Sequence, residues 1–280
     1  MRSDENVVRN PKPRNEIVAK AELSCQLFWH RITPVFTHEK LIVDRKALDF
    51  AGRSSTLVSA WDNRHSVVDH LTRAAESILL NLAEGARLAP GRARLKSLDY
   101  SLGSTLECAA CLDIARVKHL CSEADAAHEK RPLCEITKML IGLRKNWERS
   151  AHVVGEETLP YKASSPVKDE PLFHHERLDV YQTSLGFMGW FTELAAVQAM
   201  PSRLAQRLDE AATSLILNIA EGNGRYAELG QAKFLDIAES AAVKLAAYLD
   251  LSVEKSAMTA KDCVSGKTLL VRIEAMLQSM

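Results

Sequence analysis

SLILNIAEGNGR, residues 214–225, reads as the end of an amphipathic helix, yet it sets Asn218 and Glu221 among apolar neighbours. A near-twin, SILLNLAEGARL, occupies residues 77–88. The two stretches lie 137 residues apart, and the same offset holds without a gap far beyond them. PVFTHEKLIV (34–43) falls on PLFHHERLDV (171–180). Lys96, Leu98 and Asp99 fall on Lys233, Leu235 and Asp236; Ala109, Ala110, Leu112 and Asp113 fall on Ala246, Ala247, Leu249 and Asp250. Leu133, Ile136, Met139 and Leu140 fall on Leu270, Ile273, Met276 and Leu277. The chain is therefore read as two copies of one small domain, at 34–143 and 171–280. An N-terminal arm covers 1–33, and a linker rich in Pro, Ser and charge covers 144–170.

Within a copy the apolar residues recur at helical spacing. Leu204, Leu208, Ala211, Leu215 and Ile219 make one stripe, and Val67, Leu71, Ala74, Ile78 and Leu82 make its counterpart. Copy two adds a first helix over about 175–197, a third over about 231–252, and a last through KTLLVRIEAMLQSM. Copy one carries Asp44 where copy two has Tyr181, so its first helix is the more divergent. Gly85 and Gly222 are expected just past the second helix, turning the chain through positive φ. The fold class is all-α: two tandem up-down four-helix bundles joined by a linker.

The repeated polar residues need a reason. A carboxylate in the last turn of a helix faces the negative end of the macrodipole, at a cost of about 0.3–1 kcal/mol where it is exposed. Glu84 and Glu221 both stand there, so a neighbouring cation is expected: Arg87 or Lys96 in copy one, Arg225 or Lys233 in copy two. With Asn81 and Asn218, and Ser77 and Ser214 four residues earlier, they form a Ser/Asn/Glu seam along one face. Such a seam serves either to hold helix two to helix three or one bundle to the next, or to bind a ligand or RNA.

Ser214, Asn218, Ile219, Ala220, Glu221 and Gly222, followed by Gly224 and Arg225 and then by Phe234, Leu235, Ala238 and Ser240, make a recognisable pattern. It resembles the four-helix-bundle family of ribosomal-RNA intervening-sequence proteins. Copy two departs from that pattern at Glu239 and Lys244. Copy one keeps Asn81, Ala83, Glu84, Gly85, Gly103, Ser104 and Glu107 but lacks the Gly-Arg. The resemblance implies a small helical bundle of a kind that assembles into rings, often five-fold, mostly without known activity. It also implies a distant similarity to the accessory protein of diversity-generating retroelements, which binds a reverse transcriptase and its template RNA through a basic surface. Copy one (38–143) has fifteen basic and fourteen acidic residues, and copy two (175–280) ten and thirteen, so neither is strongly basic. A closed five-membered ring cannot be filled by covalent pairs alone, which constrains any assembly.

Composition narrows the classes further. Thirty-six basic and thirty-six acidic residues leave no global field to steer nucleic acid or membranes. No apolar run has the length of a membrane span, and the charged start MRSDENVVRN has no apolar core of a signal peptide, so a cytoplasmic location is expected. CAAC at 108–111, with Cys121 and Cys134, resembles a thiolate set, but the repeat places Leu245, Tyr248, Met258 and Val271 at those positions, so core packing is expected and no metal. SGKT at 265–268 lacks the preceding strand and glycine of a phosphate loop. HHE at 174–176 and HE at 38–39 suit helix starts.

The clearest binding feature is ARLAPGRARLK in copy one. Arg87, Arg92, Arg94 and Lys96 crowd the second helix–helix connection with no acid among them, as phosphate neutralisation requires. Sequence alone does not place Trp61 and His65 relative to this cluster. The reading is a non-enzymatic scaffold, without cofactor, that binds RNA and a reverse transcriptase or similar RNA-handling protein, with self-association through the bundles. The alternatives are a purely protein-binding oligomerisation module and, behind it, an enzyme with a site at the Ser/Asn/Glu seam.

Overall fold

The computed structural model describes residues 36–151, 171–198, 200–224 and 228–280. The expected arm, the stretch 152–170 and Arg225 lie outside these residues. Residues 37–280 form a compact unit. Among the described residues there are eight α-helices and no strand: α1 (Ile42–Val58), α2 (Ser66–Arg87), α3 (Arg92–Val117), α4 (Glu123–Ala151), α5 (Asp179–Val197), α6 (Ser202–Asn223), α7 (Glu228–Glu254) and α8 (Ala260–Leu277). Helices α1–α4 make the first bundle and α5–α8 the second. In each, every helix packs on its sequence neighbours and the last closes on the first. The fold is thus two tandem helical bundles. A short 3-10 turn precedes each first helix, at His38–Lys40 and His174–Arg177.

The apolar stripes explain the cores. Val67, Leu71, Ile78 and Leu82 on α2, and Leu208, Leu215 and Ile219 on α6, are buried as their spacing requires. The divergent first helix of copy one does form, and Asp44 is buried in it. Helix α4 runs to Ala151, past the expected boundary at 143. The SGKT stretch is ordinary α8 helix. The repeat reaches the turns as well: His119 and Ser256, at the same place in the two copies, both adopt positive φ, at 58° and 53°.

Gly85 and Gly222 correct the expected cap. Both lie inside their helices, and neither has positive φ. Their reason is close approach. A Cβ on Gly85 would meet Trp147 at 3.2 Å and the Ser97 Cβ at 3.3 Å, and one on Gly222 would meet the Phe234 Cβ at 3.1 Å. Ser97 and Phe234 are the same position in the two copies, so the glycine lets helix three cross helix two at short range.

Helix α3 differs from its counterpart α7. From Leu95 to Ala115 it is buried almost all round, and its small and apolar sequence fits a helix with neighbours on every side. It packs on α2 and α4 of its own bundle and on α5 and α6 of the other. The bundles therefore share a junction, with α3 at its centre.

Candidate functional site

The Ser/Asn/Glu seam is built alike in both copies at its core. Asn81 Nδ2 donates to the Ser77 carbonyl at 2.8 Å and to Ser77 Oγ at 2.9 Å. Asn218 does the same to Ser214, at 2.7 and 3.2 Å. Each amide thus serves its own helix one turn back. Only copy one extends the seam to helix three, where Ser77 Oγ meets Ser104 Oγ at 2.8 Å. Copy two has Ala241 there, and Ser214 lines an open groove between α6 and α7 with Glu210, Asp236, Ser240 and Lys244. Glu84 is exposed, and no cation pairs with it among the described residues, so the expected Arg87 or Lys96 bridge is absent. Glu221 is half-buried and Lys233 exposed on α7.

The four cations of copy one lie on helix ends rather than on a loop. Arg87 is the last residue of α2 and Arg92 the first of α3. Gly91 makes the sharp entry at φ 155°, ψ −177°, a conformation open essentially to glycine alone. The first turn of α3 holds no acid, so the positive end of its dipole adds to the side-chain charge. Arg87, Arg92 and Lys96 are exposed. Arg94 is not free: its guanidinium lies 3.9 Å from the centre of the Trp147 ring, a cation–π contact that ties α3 to α4. Trp61 and His65 are not near the cluster. Trp61 is buried, and His65 caps the other end of α2, about 30 Å away along the helix. Cys108 and Cys111 are fully buried, and burial holds both thiols protonated.

The bundle junction, which sequence reasoning missed, carries the densest polar chemistry. Lys130 of α4 places its ammonium 2.5 Å from Asp113 of α3 and 2.6 Å from Glu176 of the second copy. Tyr181 of α5 donates its phenol to the other Asp113 oxygen at 2.9 Å, and Glu176 also accepts the Phe173 backbone N–H at 3.2 Å. Burial and the Asp113 charge push the Tyr181 phenol far above its usual range, so it stays a donor. His175 stacks on Phe173 and meets Tyr181 edge-to-face, with neither ring nitrogen hydrogen-bonded, and burial together with the Lys130 charge keeps it neutral. Asp113, His175 and Glu176 bring ligand-type atoms within 4.8 Å of one another. Lys130 already supplies the positive charge that the two carboxylates need, so the arrangement is a closed ion triad.

A second polar knot lies along the same junction. Lys118, at the end of α3, contacts the Asp209 carboxylate of α6. Asp209 also accepts from the Ser66 N–H at 3.0 Å and hydroxyl at 2.9 Å, and Ser66 meets Thr213 at 2.9 Å. Burial pushes the Lys118 amine down to about 8. At the opposite end of α6 from Asp209, Leu106 fills the space over Gly224, where a Cβ would lie 1.9 Å from the leucine methyl.

A family model described as 23S rRNA-intervening sequence protein matches residues 39–142 and again residues 176–279. The chain belongs to this family, in duplicate. No curated protein and no solved structure matches it significantly. The two family matches coincide with the two bundles, and the buried triad joins one family domain to the other. Among the described residues no helix is long and apolar enough to cross a membrane.

Proposed function

We propose that this tandem member of the intervening-sequence family is a non-enzymatic helical scaffold that binds RNA at the α2–α3 corner of its first bundle. The carrying observation is the group Arg87, Arg92 and Lys96: exposed, without an ion pair among the described residues, and set at a helix N-terminus with no acid in its first turn. The family description, which names ribosomal RNA, supports the same reading. The partner held beside the RNA is an RNA-handling protein such as a reverse transcriptase. Arg94 serves the fold instead.

RNA affinity of the full chain across a salt series tests this. Affinity should fall steeply with salt, and the triple variant R87A/R92A/K96A should flatten the log–log slope by about two. Absence of binding at low salt would leave the second reading, a protein-binding oligomerisation module. That reading has its own support in exposed apolar residues on helix faces, Leu80 and Val243 among them.

A further inference from the structure

Copy one clasps its second helix to its third where copy two leaves the α6–α7 groove open. His70 Nδ1 of α2 lies 3.2 Å from Glu107 Oε1 of α3, and Ser77 Oγ lies 2.8 Å from Ser104 Oγ. The repeat offset turns each clasp into an opening. His70 and Glu107 become Arg207 and Lys244, two cations at positions that face each other, and Ser104 becomes Ala241, so Ser214 has no hydroxyl to meet. The resulting groove has a volume of about 480 Å³, within the range of roughly 300–1,000 Å³ typical of small-molecule sites.

The lining is ordered along the groove. Tyr248, Lys244, Ser240 and Asp236 recur every four residues on α7 and so share one face, with Arg207 and Ser214 across from them on α6. One end is therefore cationic, with Arg207, Lys244 and the Tyr248 phenol. The middle holds the two serine hydroxyls beside Ile237, which is 38% exposed, and the far end holds the Asp236 carboxylate. Eight residues of helix separate Lys244 from Asp236, about 12 Å along the axis, so these two cannot neutralise each other. Neither forms an ion pair among the described residues. Arg207 Nη1 meets Glu210 Oε2 at 3.3 Å, which occupies one of the five guanidinium N–H donors and leaves the rest for a ligand.

We propose that this groove binds a nucleoside 5′-monophosphate, free or as the 5′ end of an RNA. The phosphate sits between Arg207 and Lys244, the sugar lies along Ser214 and Ser240 beside Ile237, and the base offers an N–H to Asp236. A guanidinium, an ammonium and a phenol reaching in from two helices suit the three oxygens of a phosphate better than a planar carboxylate. The acid at the far end excludes a ligand that is anionic throughout and asks for a hydrogen-bond donor there. The site goes beyond the RNA-binding reading and uses no residue of the α2–α3 corner.

Calorimetric titration of the full chain, freed of nucleic acid, with nucleoside 5′-monophosphates, the matching nucleosides and inorganic phosphate tests this. The nucleotides should bind more tightly than either part alone. K244E installs the residue of copy one, closes the clasp onto Arg207, and should weaken nucleotide binding by about tenfold or more. D236N should weaken the nucleotides by roughly threefold to tenfold and leave inorganic phosphate unchanged. In the R87A/R92A/K96A background, a short oligoribonucleotide with a 5′ phosphate, compared with its 5′-hydroxyl form, separates the sources: K244E-sensitive preference for the phosphorylated form without binding of free nucleotides assigns the groove to an RNA end. Absence of binding by nucleotide and phosphorylated oligonucleotide alike overturns the proposal; so does nucleotide binding that K244E leaves intact, or a nucleoside or inorganic phosphate that binds as tightly as the nucleotide. The triple variant should keep nucleotide binding, and K244E should keep the salt-dependent RNA binding of the corner, so the two sites fail or survive separately.

Discussion

Asp113–Lys130 in copy one and Asp250–Lys267 in copy two are one ion pair at one place in the repeat, yet their surroundings differ completely. Both give an N–O distance of 2.5 Å. The first pair is shut in by Glu176 and Tyr181, with side chains 9% exposed. The second stands in solvent, its side chains 60% and 39% exposed. The sequence around each is similar, so local chemistry does not set the difference. What sets it is that copy two covers α3, whereas among the described residues α7 packs only within its own bundle. An interaction of negligible weight on one bundle thereby becomes a structural lock on the other.

The sharpest way to break this comparison is to remove the same lysine twice. K130M leaves Asp113 and Glu176 buried without a cation, and urea unfolding should register a loss of about 3–5 kcal/mol. K267M should leave the unfolding midpoint unchanged. Equal effects from the two variants would mean that the junction does not distinguish the copies.

A second contrast is Asp44 against Tyr181. Tyr181 finds Asp113, whereas Asp44 is buried and burial raises its carboxyl to about 6. In the unfolded chain it titrates near 3.8, so the folded state holds the proton over a higher range. Stability from this group is therefore full below about 4 and declines as pH rises through about 6. The decline amounts to about 2–3 kcal/mol. D44N should abolish that part of the pH dependence, as read from unfolding curves between acid and neutral pH.

The smallest expected effect separates Gly224 from Arg87. G224A pushes a methyl into Leu106, and thermal unfolding should show a loss of about 1–2 kcal/mol. R87A, at the matching position of copy one, should change stability little and act on RNA binding instead.

Much of the fold was legible because a repeat shows itself twice. The α2 and α6 stripes and the buried CAAC cysteines follow from spacing and from the second copy's residues at the same positions. The junction was hidden because its partners are far apart in sequence and chemically ordinary. Lys130 and Glu176 are unremarkable charged residues until α3 is seen to be surrounded. One signal was present: Asp and Lys recur at 113/130 and 250/267, and His-Glu recurs at 38–39 and 175–176. Arg94 was misplaced for the same reason, since Trp147 lies on a different helix. In the sequence Gly85 and Gly222 look like turn residues, because a glycine at a helix end serves equally for a turn or for a close crossing, and only the position of Ser97 and Phe234 decides between them.

Joining the two bundles in one polypeptide also changes what the buried triad must accomplish. Between separate molecules, burying three ionised groups roughly cancels its own gain and gives little affinity. Within one chain the partner is present at a high effective concentration, so the junction needs only a small surplus to stay closed. Its ions are then free to act as a selector of orientation: the acid and the phenol of copy two fit one site on copy one, and a reversed or slipped docking would strand charges away from water. Gene fusion relieves this surface of the need for tight binding and leaves it to enforce geometry.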